Sequence, residues 1–292
     1  MHTYLEAAGF GEIRSRHEMD ELITDVVYHY DKRTVFRGTD GQLMAEFRRE
    51  YAPDLGLVVC GESQDDREFR PDYCFPWFGG AIVSTEQEIS FEKHAGQESY
   101  AGACEDPRLG ASLIFYLSNL GEYQKAYERK ADIGVLPVKM SALAKEGRIL
   151  LPLSEKLRDS SSFRRQAENR SRLLSAARGG DEKAIESLTM EEMNSYDVIS
   201  KRLEKEDVLT IVESCFIPYG VECDQYSLTG TITSCDLVQN RRSGEWIYQM
   251  QLDVCDFSLD VSINAERLEG EPEEGRRFRG LIWLQGEVCF PE

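Results

Sequence analysis

Apolar and polar positions repeat along this chain with two different periods, and the changes of period mark out its elements. Met19, Leu22, Ile23, Val26, Val27 and Tyr30 recur at helical spacing. Ser15 and Glu18 precede them in the S-x-x-E arrangement, where each side chain satisfies a backbone donor at the helix start. One amphipathic helix lying on a sheet is the expectation. From Thr34 to Leu153 the period shortens. The runs "QLMAEFRREY" and "LGLVVCGE" flank "APDLG", a Pro-Asp loop of hairpin type. "AIVSTEQEISFEKH" and "ESYAGACED" read as further strands, turning near Gly96. The continuous apolar run "LGASLIFYLSN" fits a buried strand by its β-branched and aromatic content. "GEYQKAYERKA" is helical, and "VLPVKMSALAKEGRILLPL" reads as a hairpin turning at Glu146-Gly147.

Residues 154–216 return to helical spacing. Ser161 or Ser162, then Asp181, then Thr189 with Glu192, cap successive short helices, and "EDVLTIVESCF" stops at Pro218. Beyond it the alternation is strict. Tyr248, Met250, Leu252 and Val254 alternate with polar residues, as do Phe257, Leu259, Val261 and Ile263. Phe278, Gly280, Ile282, Leu284, Gly286 and Val288 share one face of the last strand. With "SLTGTITSCDLV" this makes at least four strands, the first pair joined through "QNRRSGEW". One apolar face repeated over four strands implies a sheet closed over a single small core. The expected class is α+β: a mostly antiparallel sheet with helices over 1–153, a helical connector over 154–218 and a small, OB-like C-terminal barrel over 219–292.

Composition adds bounds. The chain has 292 residues, 41% apolar and 30% charged, well within the globular range. Its opening lacks a basic region, an apolar core and a small-residue cleavage site, and no apolar run reaches the ~20 residues of a bilayer span. A soluble cytoplasmic protein is the expectation, with its eight scattered cysteines reduced. The net charge of −19 is concentrated at the two ends: 17 basic against 26 acidic groups over 1–150, 11 against 10 over 151–205, and 6 against 17 over 206–292. Such surfaces repel phosphate backbones and anionic lipid, which makes nucleic acid and membrane poor partners.

Candidate chemistry is sparse. "KHAGQESYAGACEDPRLG" places His94 ten residues before Cys104, with Glu98, Glu105 and Asp106 nearby. A Cys–His pair acts through the thiolate, and a hairpin turning near Gly96 would let the two approach if their parity agreed. The three carboxylates work the other way, holding a thiol protonated. The plainer reading is a half-buried strand cysteine and a surface histidine. Cys215, Cys223, Cys235 and Cys255 are the candidate ligands of a four-thiolate zinc site, without the close C-x-x-C pair that presets two ligands; reduced core cysteines are the alternative. Arg158, Arg164, Arg165, Arg170, Arg172 and Arg178 make a basic run suited to an acidic partner or to a solvated helix face. "GEPEEGRRFRG" has no Gly-Lys-Ser/Thr and reads as a tight loop between strands. Trp77 and Phe78 of "PWFGG" fit an exposed aromatic anchor or, more commonly, core packing.

Five stretches together carry a resemblance: "LEAAGF", "ESYAGACEDPRLGASLIFYLSN", "SALAKEGRILLPL", the long run from "ARGGDEKAIESL" through "PYGVECDQYSLTGTI", and "RFRGLIWLQG". They resemble a family of bacterial, clostridial-type proteins known as a domain of unknown function, and that resemblance implies no activity, cofactor or catalytic residue. The expectation is a non-catalytic protein-binding or regulatory module without a cofactor, its partner another protein or a second copy. A small-molecule hydrolase using Cys104 with His94 is the alternative. An OB-like nucleic-acid binder is the third reading, opposed by acidity.

Overall fold

In the computed structural model, residues 3–65, 68–109, 111–129, 135–151, 214–220 and 223–290 are described. Residues 1–150 with 214–292 form one compact unit and 151–213 a second. The expected helices and the arginine run over 154–213 lie outside the described residues.

Helix α1 (Arg16–Tyr28) begins at the expected capping box, Ser15 and Glu18 bonding each other's backbone N–H. It buries Met19, Leu22 and Val26. The first sheet is an antiparallel meander of β1 (Lys32–Arg37), β2 (Leu43–Ala52), β3 (Leu55–Asp65) and β4 (Glu68–Phe78). Its tight turn at Asp54 holds a positive φ of 51°, as the Pro-Asp signal anticipated.

The second sheet has ten strands. A meander of β5 (Ile89–Lys93), β6 (Tyr100–Asp106) and β7 (Ala111–Leu117) leads into helix α2 (Leu120–Glu128) and then β8 (Val138–Leu150). After the undescribed stretch come β9 (Cys215–Pro218), β10 (Gln225–Gln239), β11 (Trp246–Val254), β12 (Phe257–Asn264), the two-residue β13 (Leu268–Glu269) and β14 (Arg277–Val288).

Five of these strands close a barrel. β10, β11 and β12 form an antiparallel meander, β14 pairs with β10, and β8 pairs with β14 on one edge and in parallel with β12 on the other. This is the ring of an OB barrel, with the strand that would come fifth supplied from ahead of the first. The long first strand of that plan is β10. It pairs β14 through Gln225–Thr231, bulges after Ile232, and pairs β11 through Gln239. The interior is filled by the alternating residues: Met250, Leu252 and Val254, Phe257, Leu259, Val261 and Ile263, with Met140, Ala142 and Ala144 from β8.

Two expectations are corrected. "VLPVKMSALAKEGRILLPL" does not turn at Glu146-Gly147; β8 runs straight through, and Gly147 is there because the Phe278 ring covers it, 2.3 Å from where a Cβ would stand. The helix expected to reach Pro218 does not do so, since Cys215–Pro218 is an edge strand on β10. Pro218 lacks the N–H that only an inner strand would need.

The outer face of the barrel is covered by the chain itself. Ser262 donates to Ala7 O (3.0 Å), Asn240 to Ala8 O (2.8 Å) and Asn264 to Glu6 O (3.4 Å), holding the buried segment of Tyr4, Leu5, Ala7, Ala8 and Phe10. Gln285 of β14 donates to Pro76 O (2.8 Å) and accepts from Phe78 N (3.1 Å), so its amide serves as a rung for the free edge of β4. Ser141 on β8 adds a bond to Phe78 O at 2.6 Å. Trp77 and Phe78 are thereby core residues.

The join between the three-stranded meander and the barrel depends on bare backbone. Phe115 of β7 lies where a Cβ on Gly102 would come within 2.2 Å of it, and one on Gly286 within 2.4 Å. Gly286→Ala should therefore destabilise the protein by about 1–3 kcal/mol through overpacking. Adding Phe115→Leu should return part of that loss, read as the coupling in a urea-unfolding cycle; strict additivity would show that the ring is not the obstacle.

Candidate functional site

The four-stranded sheet turns one face to α1 and the other to the second sheet. That second face carries Glu46 and Arg48 from β2, Cys60 and Val58 from β3, and Tyr73, Phe75 and Trp77 from β4, in rows set by the register. Opposite lie Tyr116 and Trp283. Phe75 meets Tyr116 with ring centroids 4.8 Å apart, and Tyr116 meets Trp283 at 5.1 Å. The layer between the sheets is thus aromatic and also unusually polar.

Arg48 is its centre. The guanidinium lies 4.2 Å above the Trp77 ring, donates to Ser118 O at 2.9 Å and to Glu287 at 3.3 Å, and stands 3.9 Å from Glu46. Glu46 accepts from Gly121 N, 3.2 Å away in the first turn of α2, where helix dipole and free N–H groups favour a carboxylate. Complete burial outweighs that help and the pull of Arg48, and raises the Glu46 carboxyl above its ordinary range. Lys32 and Glu122 close the outer side of this cluster.

At the other end of the layer the β5–β6 turn carries two residues singled out from the sequence. Glu98 is nearly fully buried and gathers five donors: Lys93 Nζ at 2.5 Å, Thr39 Oγ1 at 2.9 Å, Thr39 N at 3.3 Å, and the Tyr100 hydroxyl and Gln124 amide at 3.4 Å. It fastens the turn to the β1–β2 loop and to α2. His94 faces the other way, Nδ1 2.8 Å from Ser99 Oγ and its ring stacked 5.8 Å from Tyr116.

Cys104 does not join them. In the β5–β6 register it stands opposite Ile89, while His94 follows Lys93, the partner of Tyr100, at the far end. Five positions separate Ile89 from His94, roughly 17 Å of strand, and the odd offset puts the two side chains on opposite faces. Burial, and then the charge of Asp106, lifts the Cys104 thiol to about 11, against a smaller opposing effect of Arg108. Asp106 is itself clamped by Arg108 at 2.6 Å and Thr85 at 2.9 Å; burial raises its pKa, but these partners hold it below the usual range. Glu105 points to solvent.

The four later cysteines are spread along β10. Cys223 precedes the strand, Cys215 lies opposite Thr229, Cys235 opposite Met250, and Cys255 occupies the β11–β12 turn. Cys223 and Cys235 are twelve positions apart, roughly 40 Å of strand. Cys255 lies beside the residue that precedes Cys215, its Sγ 3.5 Å from the Ser214 hydroxyl. Among the described residues, no three His, Cys, Asp or Glu side chains are placed to share a metal ion.

A cleft of about 200 Å³ is lined by Phe10, Glu12, Ile13, Glu18, Arg242 and Ser243. Two of its charges are engaged within the protein: Glu18 completes the capping box, and Arg242 pairs with Asp25 at 2.7 Å. Asp25 also takes Arg49 at 2.6 Å and the Tyr51 hydroxyl at 2.8 Å.

Glu46, Arg48 and Gln285 were missed by sequence reasoning. The alternation in β2 announces a polar face at Glu46-Arg48-Glu50, but polar alternation ordinarily marks solvent. Only the second sheet, brought over it by distant residues, turns that face into an interior.

These features define the class: an α+β protein whose permuted OB-type barrel is packed through a polar layer against a four-stranded sheet. The chain belongs to the family described as "Domain of unknown function, E. rectale Gene description (DUF3881)", whose model matches residues 5–286. No curated protein and no solved structure matches it. No helix among the described residues is long and apolar enough to cross a membrane.

Glu46 gives a pH signature. Its folded pKa lies above the unfolded value of 4.5, so the ionised form weakens the folded state. The contribution of Glu46 to stability should fall as pH rises from about 4.5, a loss that Glu46→Gln, which does not ionise, should not share. Urea midpoints of the two proteins between pH 5 and 8 should diverge upward in favour of the variant. Parallel curves would mean that Glu46 does not titrate there.

Proposed function

We propose that the protein is a cytoplasmic, non-catalytic module that binds another protein through the far face of the β10–β11 hairpin. The observation that carries this reading is an apolar patch. Leu237 pairs with Tyr248 and Gln239 with Trp246, and the face they share continues from the barrel core past its rim. Leu237 is 49% exposed and Trp246 50%. Aromatic anchors of this kind dominate protein interfaces. A net charge of −19 favours a cationic partner, by steering the encounter and by repelling a second copy.

Two further features support it. The carboxylates and the imidazole that a hydrolase would use are spent on internal ties: Glu98 on five donors, Asp106 on Arg108, and His94 on Ser99. The outer face of β12, within the surface on which OB barrels commonly take oligonucleotides, holds residues 6–8 instead, which weighs against the nucleic-acid reading. Free thiols at all eight cysteines accord with a reducing compartment.

The test compares wild-type protein with Leu237→Asp and Trp246→Ala as immobilised baits in native lysate. A partner held by the wild type should be lost or bound about tenfold more weakly by either variant, and salt should weaken the wild-type complex. Capture of the same proteins by all three baits, or a salt-insensitive complex, would remove the basis of this proposal.

A further inference from the structure

The β11–β12 turn is built from unusual residues. Cys255 and Asp256 occupy its two central positions with φ of 58° and 63°, the left-handed geometry of a two-residue hairpin turn that Asn-Gly ordinarily fills. The side chain of Cys255 is thereby aimed at one particular place. β10 bonds β14 along one edge; its other edge is held first by β9 and then by β11. Cys215 of β9 stands opposite Thr229, and Asp253 of β11 stands opposite Thr231. The hand-over between the two strands therefore spans two positions, roughly 7 Å. Were β11 to continue straight, Cys255 would be level with Cys215. It turns aside there, and its Sγ comes to 3.5 Å from the hydroxyl of Ser214, the residue next to Cys215.

We propose that Cys215 and Cys255 are a redox pair that closes to a reversible intramolecular disulfide, latching β9 to the β11–β12 turn. A disulfide spans Cα separations of about 4.4–6.8 Å, and Cys215 stands among the groups whose charge acts on Cys255. A hydroperoxide is the oxidant. One thiol is oxidised to a sulfenic acid with release of one water or alcohol. The second thiol displaces hydroxide from that sulfur, which leaves with the thiol proton as water, and one S–S bond replaces two S–H bonds. A dithiol reductant reverses the change. Burial, and then the charges of Asp253 and Asp256 that flank the turn, hold the Cys255 thiol up against the opposing hydrogen bond of Ser214, so closure speeds as pH rises above neutrality. The latch would fix a strand of four residues whose Ile217 is 55% exposed and is followed by Tyr219 at 48%.

The experiment treats the full-length protein with hydrogen peroxide, blocks remaining thiols under denaturing conditions, and maps non-reduced peptides by mass spectrometry. A single principal link joining the peptides of Cys215 and Cys255 is expected, with six of the eight thiols still alkylated and full reversal by dithiothreitol. The link should vanish in Cys215→Ser and in Cys255→Ser, both positions outside the core. The oxidised wild type should unfold at a higher temperature than the reduced protein, with no such gain in either variant. A different principal link, a cross-link between molecules, over-oxidation of either cysteine without a link, or no reaction would each overturn the proposal.

Discussion

A β-barrel closes only if its last gap is filled by a strand that can bond on both edges at once, and β8 is that strand here. Along one side it pairs with β14 through the whole of Val138–Leu150, with one register shift; along the other it runs parallel to β12 through Ser141–Ala144 and then to β13. Every backbone group left open there would face an apolar interior, where an unmade hydrogen bond costs more than a made one contributes. The strand comes from before the undescribed stretch and its four ring partners from after it. The two β-rich ends of the chain therefore share one hydrogen-bonded ring, and neither end completes it alone.

Closing the barrel from outside has a second consequence. The outward residues of β8, β12 and β14 become the floor on which the N-terminal segment and the edge of β4 are laid. They are short and polar (Ser141, Ser262, Asn264 and Gln285) and each meets a main-chain group. An apolar floor would bury as much surface but would leave the carbonyls of residues 6–8 and the edge of β4 unpaired. The same logic explains the polar layer deeper in. Arg48 and Glu46 lie between sheets because the carbonyl of Ser118 and the free N–H of Gly121 arrive there and need partners. Buried charge of this kind adds little net stability, but it penalises any register that leaves a group unmatched.

What could be read from the sequence follows from these facts. The alternation in β11, β12 and β14 was legible because each has one face in a single core, and the Ser15 capping box because it is local. The fate of β8 was not. Glu146-Gly147 has turn chemistry, and only the ring of Phe278, more than a hundred residues on, gives that glycine its other purpose. The parity of His94 and Cys104 was likewise hidden. It depends on where the β5–β6 turn pinches, and one residue of slip would have put both side chains on the same face. Glu98 was noticed as part of a reactive cluster. Its five donors come from the β1–β2 loop, from β5 and β6 and from α2, a convergence that no spacing announces.

The β10–β11 hairpin is where these constraints leave something over. Its near face, with Val238 and Ile247, lies in the core that the N-terminal segment shares with the first sheet. Its far face should by alternation be polar wherever it passes the barrel rim, yet it carries Leu237, Tyr248 and Trp246. Twist alone does not ask for this, because a polar residue at Leu237 or Trp246, both about half exposed, would preserve both the register and the core. Apolar side chains on both faces of a hairpin extending beyond its barrel occur in a chain of net charge −19, whose like charges repel. Surface charge without the patch would be ordinary solubility, and the patch without the charge would invite self-association. Together they are the two features on which the proposed pairing with a different, oppositely charged protein rests.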